Sequence, residues 1–167
     1  MPKKVITRGL HASRTPPEEK RLRAVDSEDQ GISLPRWITL SGMECGSKQA
    51  GFCNDARGKL GEDYFISRRP TFERLSEAGF EGFRIPFCWE RLQPQLGGAL
   101  DPDEIQNLRY MLGVAKSLNR NVILSMHNAG RYTMRVDGVP TACGLEESIG
   151  GSVRVTAQHF AEFWSRM

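Results

Sequence analysis

Hydrophobic and polar positions change character at about Arg36. Before it, apolar residues occur singly among Lys, Arg, Glu, Asp, Ser and Pro. A stretch with that pattern has no face to bury, so residues 1–35 are expected to form a basic, disordered tail. From Arg36 the pattern alternates between strands and helices. Trp37, Ile38 and Leu40 form a β-prone run ending in Ser41-Gly42-Met43-Glu44, a candidate first strand. Cys45 to about Ser67 reads as a long glycine-punctuated loop, a length more common in functional loops than in plain connections. Pro70 marks a helix start, Phe72, Leu75 and Ala78 give its apolar stripe, and Gly79 ends it. Glu81–Phe87 reads as the second strand.

Asp101-Pro102 followed by Glu104 predicts a capping box at the next helix, whose apolar face is Ile105, Leu108, Leu112, Ala115 and Leu118. Asn119-Arg120-Asn121 turns the chain into a third strand, Val122–Met126. Asn128–Ser152 reads as a second long loop. The last helix starts near Val153 or Thr156, with Ala157, Phe160, Phe163, Trp164 and Met167 on its apolar side. That face runs to the final residue without a C-cap or a following strand, which suggests truncation. Strands alternating with helices predict an α/β fold with a parallel sheet. Polar and aromatic residues follow the carboxyl ends of successive strands, as in a (β/α)₈ TIM barrel, whose active site lies on that face. The chain holds 167 residues against about 250 for a typical barrel, so the expectation is a barrel truncated to about its first three βα units, over residues 36–167.

Composition narrows the function classes. Apolar content of 39% and charged content of 26% fit a globular domain. No apolar run reaches the roughly 20 residues of a membrane span, so no membrane partner is predicted. The net charge is only +3 and no nucleic-acid-binding motif occurs, so no nucleic-acid partner is predicted. No secretory leader is recognisable and the compartment is left open. Cys45, Cys53, Cys88 and Cys143 form no C-x-x-C pair, so no zinc ribbon or dithiol site is indicated. Cys45 and Cys53 are either a short disulfide or ordinary thiols, the second reading being preferred.

Candidate chemistry lies at the strand ends. Arg84 alternates with Phe83 and Ile85, so it points to the opposite face. A buried guanidinium needs a partner. Arg84 therefore either orients a catalytic carboxylate or makes a structural ion pair. His127 and Asn128 follow the third strand directly, where they either bind substrate or serve as structural residues. Trp89, Trp37 and Tyr132 could stack on sugar rings or fill the core. Glu44 and Glu90 each stand just after a strand, as a carboxylate pair or as supporting residues.

The runs GFRIPFCWERLQP, GGALDP and VILSMHNAGRY, in that order, resemble the amino-terminal part of glycoside hydrolase family 5, nearest to its endo-β-1,4-glucanases (cellulases). The resemblance covers roughly Ile38 to Met167 and is strongest from Gly79 to Tyr132. It implies retaining hydrolysis of β-linked polysaccharide or oligosaccharide by two glutamates, with no metal or other cofactor. Arg84 matches the arginine supporting the nucleophilic glutamate, and His127 a histidine that binds sugar beside the scissile bond. Asn128, Tyr132, Trp89 and Glu44 are the further candidates for substrate binding. Ala129 stands where the family usually has an aromatic residue. No Asn-Glu-Pro triplet occurs, so both catalytic glutamates are expected to be missing and the isolated chain inactive. A non-catalytic carbohydrate-binding fragment using Trp89, Tyr132 and His127, a complete small α/β domain using Glu44 and Glu90, and a β-mannanase-like specificity are the alternatives.

Overall fold

The computed structural model describes residues 34–167, so the reading of the tail at 1–35 falls almost wholly outside the described residues. Three parallel strands form one sheet in the order β1-β2-β3. They are β1 (Trp37–Thr39), β2 (Gly82–Phe87) and β3 (Asn121–Met126). Helix α1 (Arg69–Glu77) joins the first pair. A single helical turn α2 (Trp89–Leu92) and the long helix α3 (Pro102–Ser117) join the second. Both longer crossovers end in the same device. Gly79, at φ 86°, donates to Ser76 while Phe80 N donates to Leu75 O at 3.0 Å. Asn119, at φ 54°, and Arg120 repeat the pattern on Lys116 and Ala115. These paired reverse bonds satisfy the last helical carbonyls and turn the chain back into a strand.

Phe83, Ile85 and Phe87 on one face of β2 are fully buried. The Phe83 ring meets Phe72 of α1 edge-on at 5.0 Å. Phe87 meets Phe163 and Trp164 of helix α4 (Ala157–Arg166), each at 5.9 Å. The helices therefore cover one face of the sheet. Arg84, Ser125 and half-exposed Ile123 lie on the other, uncovered face. Gly82 is required where β1 crosses β2, because an added Cβ would meet the Trp37 ring at 2.4 Å.

Several expectations need correction. The first strand ends at Thr39, not beyond Ser41, because Gly42 and its neighbours enter turns. Asp101 caps α3 through bonds from the Asp103 and Glu104 amides, but no capping box forms. Glu104 is buried and is bonded by the Tyr64 hydroxyl instead. The buried face of α3 is Glu104, Leu108, Met111, Val114 and Ala115, with Ile105 and Leu112 only half-covered at its flank. The expected loop from Asn128 to Ser152 contains two hairpins. Strands β4 (Arg131–Val136) and β5 (Val139–Gly144) pair antiparallel. Asp137 and Gly138, both at positive φ, form the two-residue turn between them. Strands β6 (Ser148–Ile149) and β7 (Ser152–Val153) form a smaller hairpin before α4. Thr156 caps α4, and His159 completes a capping box there by accepting from Thr156 N at 3.2 Å.

The long loop after β1 is held by Arg91 of α2. This side chain is 1% exposed and pairs with no carboxylate among the described residues. Its guanidinium instead donates to the carbonyls of Met43 at 2.5 Å, Cys45 at 2.7 Å and Arg57 at 2.8 Å. It lies over the Tyr64 ring at 3.9 Å and the Phe52 ring at 5.3 Å. A planar fork reaching three carbonyls cannot be replaced by the point charge of a lysine. Arg91→Lys is therefore expected to lower stability by about 3 kcal/mol, since it strands buried acceptors. Urea unfolding at constant m-value checks this, and a loss below about 0.5 kcal/mol would contradict it.

Candidate active site

The site is built where β2 and β3 end. Parallel pairing sets Arg84 opposite Ile123 and Pro86 opposite Ser125, so Arg84 and Ser125 share the uncovered face. Arg84 Nη2 donates to Ser125 Oγ at 2.7 Å and approaches His127 Nδ1 at 3.5 Å. His127 N donates to Phe87 O at 2.8 Å, extending the β2–β3 ladder by one bond past the strand end. An arginine N–H facing Nδ1 favours the tautomer protonated on Nε2, leaving that N–H as a donor for a ligand. Arg84 faces a polar strand-end rim and meets no carboxylate among the described residues. Of the two readings of Arg84, a structural ion pair is therefore not formed here.

A cleft of about 570 Å³ opens against this cluster. Arg84, Glu90, Met126, His127, Asn128 and Ala129 line one side. Ser47, Lys48 and Phe52 come from the long loop, and Arg131, Thr133 and Ala142 from the hairpin. A second hollow of about 400 Å³ lies between His127 and residues 44–49. His127 is thus shared by two adjoining recesses. Asn128 Nδ2 reaches Glu90 Oε2 at 3.4 Å, while its Oδ1 is buried and meets no donor. With no accessible surface of its own, this oxygen is not a point of contact for a ligand in the cleft.

Other candidates fall elsewhere. Trp89 and Tyr132, expected as sugar-stacking residues, are fully buried and present no face to the cleft. Their rings meet edge-on at 5.3 Å. Both polar tips are satisfied inside, Trp89 Nε1 on Gln93 Oε1 at 2.8 Å and Tyr132 OH on Gln93 O at 2.6 Å. Trp37 lies at β1 against Gly82, away from the cleft lining. Glu44 borders the smaller recess, and its carboxylate accepts from Gly42 N at 2.8 Å. Glu90 is 1% exposed and accepts from Thr133 N at 2.6 Å. Burial pushes its pKa upward, against the smaller downward pull of its hydrogen bonds. Glu44 and Glu90 are thus committed to separate backbone amides rather than forming a carboxylate pair. Ser125, Lys48 and Thr133 were not singled out from sequence. Ser125 had a readable signal, as the one polar residue inside the apolar run VILSM.

The cellulase (glycosyl hydrolase family 5) model matches residues 35–167. The chain belongs to glycosyl hydrolase family 5. Endo-beta-1,4-glucanase B of Emericella nidulans is 30% identical over 95 residues, 57% of this chain and 27% of that protein. Probable endo-beta-1,4-glucanase B of Aspergillus oryzae is 31% identical over 112 residues, 65% of this chain and 32% of that protein. Among solved structures, Pseudomonas stutzeri endoglucanase Cel5A in complex with cellobiose superposes with a TM-score of 0.62 at 29% identity, over 81% of this chain and 36% of that one. XacCel5A in complex with cellopentaose gives 0.61 at 29% identity, over 80% and 37%. The chain thus spans about a third of the length of these family 5 relatives. Their likeness implies a (β/α)₈ barrel, to which the three parallel strands with helices on one face correspond.

The four cysteines of this family 5 chain are free thiols, with Cys45 exposed and Cys53, Cys88 and Cys143 buried. Burial pushes the Cys88 thiol up to about 11. A thiol reacts as its thiolate, so iodoacetamide at about pH 8 is expected to modify Cys45 first and the other three only on unfolding. Mass spectrometry of the labelled native protein checks this. Equal labelling of Cys45 and Cys88 would contradict the described burial.

Proposed function

We propose that this chain carries the substrate-orienting part of a retaining endo-β-1,4-glucanase site, as three of the eight βα units of a family 5 barrel. A β-linked glucan lies across His127, occupying both recesses. His127 Nε2–H donates to a sugar oxygen, and the sugar ring lies against Asn128 and Ala129, which line the cleft beside it. Arg84 holds the Nδ1 side of His127 and supplies positive charge where a catalytic carboxylate would be kept ionised. The observation that carries this reading is the Arg84–Ser125–His127 cluster at the carboxyl ends of adjacent parallel strands, bordering an open cleft.

Retaining hydrolysis needs two carboxyl groups about 5–5.5 Å apart, one to form the glycosyl intermediate and one to transfer protons. Glu44 and Glu90 each border a recess but are held by the Gly42 and Thr133 amides, and the 167 residues contain no Asn-Glu-Pro triplet. These residues on their own are therefore proposed to bind β-glucan without cleaving it. Trp89 and Tyr132 have no part in that binding, because their rings are enclosed.

Calorimetric titration with cellopentaose is expected to give saturable binding that His127→Ala weakens about fivefold, the worth of one net hydrogen bond. Reducing-sugar assays on soluble β-glucan should stay at background. Binding indifferent to His127→Ala would overturn the placement of the glucan, and turnover by the purified chain would overturn the assignment of the missing carboxylates.

A further inference from the structure

Glu90 is a buried carboxylate that the proposed sugar contacts do not use. It lies in the single turn α2, yet its side chain joins two other segments. One oxygen accepts from Thr133 N of β4 at 2.6 Å, and the other receives Asn128 Nδ2, in the turn leaving β3, at 3.4 Å. Thr133 uses neither of its main-chain groups on β5. Its N–H goes to Glu90 and its carbonyl accepts from Asn54 N at 2.9 Å. Glu90 therefore covers part of the outer edge of the hairpin and ties it to the residue following His127.

No Lys, Arg or His nitrogen among the described residues comes within 4.0 Å of this carboxylate. Arg91, next in α2, turns its guanidinium to the carbonyls of Met43 and Cys45. The Cys88 thiol and the Tyr132 phenol both feel the Glu90 charge. Lys48, Arg84, His127 and Arg131 border the same cleft. A carboxylate buried without a cation is costly when ionised. Holding an amide N–H requires only an acceptor oxygen, which a neutral carboxylic acid also has.

We propose that Glu90 is a positioning residue of the cleft, fixing Asn128 and the β4–β5 hairpin against the sugar-binding rim, and that it works as the neutral acid as well as the carboxylate. The proton comes from solvent. The carbonyl oxygen of the acid keeps the Thr133 bond, and its O–H becomes a donor for the Asn128 amide oxygen once that amide turns. The part played in sugar binding rests on the glucan reading above; the placement and protonation of Glu90 do not.

The sign of the pH effect follows from the raised pKa. Just above the ordinary carboxylate range the folded chain binds more protons than the unfolded chain, so Glu90 lowers stability as pH rises through that window. Glu90→Gln keeps the acceptor and removes the ionisation. Its melting temperature is expected to climb relative to the parent as the pH rises above the ordinary carboxylate range. In the full chain, the Thr133 amide proton shift is expected to titrate with a midpoint above the ordinary carboxylate value, and the step should vanish in Glu90→Gln. Cellopentaose affinity should stay within about twofold in Glu90→Gln and fall about tenfold in Glu90→Ala. A Thr133 midpoint at or below the ordinary carboxylate value would overturn the proposal. So would a Glu90→Gln loss as large as that of Glu90→Ala. If Glu90→Ala does not fold, the Thr133 titration and an affinity loss beyond about twofold in Glu90→Gln still decide. If the parent chain itself binds no cellopentaose, the glucan reading fails while the Thr133 titration still decides the placement of Glu90.

Discussion

The register between β2 and β3 is the constraint on which the site depends. Phe83, Ile85 and Phe87 pair with Val122, Leu124 and Met126, and this set faces the helices. The intervening positions, Arg84 beside Ile123 and Pro86 beside Ser125, are thereby forced to the uncovered face. A slip of one residue would drive Arg84 among the phenylalanines and turn an aromatic ring outward. Burying that guanidinium unpaired would cost several kcal/mol, so the apolar pattern and the arginine enforce the same pairing. The same register brings His127 level with the end of β2, where Phe87 O accepts its amide. The packed side of the sheet thus dictates the geometry of the chemical side.

The rim is then walled by the long loop after β1 and by the β4–β5 hairpin. Arg91 gathers the carbonyls of Met43, Cys45 and Arg57, and Phe52 and Tyr64 close over its guanidinium. Asn54 N on Thr133 O and the Asp55–Arg135 ion pair join that loop to the hairpin. The ion pair is exposed, so the join relies more on the backbone bond than on the charges. Around the cleft, buried polar side chains such as Arg91 and Glu90 act chiefly by holding backbone groups, while the exposed imidazole of His127 stays open to a ligand.

Much of this was legible in the sequence because local signals and the global fold agree. The strand faces of Phe83–Phe87, the cap at Asp101, and the turns at Gly79 and Asn119 depend on neighbours a few residues away. Arg84 and His127 could be expected on one rim because each belongs to a strand end. What was not legible depends on distant partners. Glu104 looked like a capping-box residue, but Tyr64, forty positions earlier, takes its carboxylate. Trp89 and Tyr132 looked like sugar platforms, but each buries the other and both lean on Gln93. The β4–β5 hairpin did carry a local signal, the Asp137-Gly138 pair, which was masked by the glycine content of the surrounding segment.

Saturation transfer from bound cellopentaose to the assigned side-chain protons of the chain tests the central claim most directly. Transfer concentrated on the His127 imidazole and the Asn128 amide, with none at Trp37 or Val153, is the predicted result. Transfer that bypasses His127 and collects on Trp37, Val153 or another surface would contradict the account.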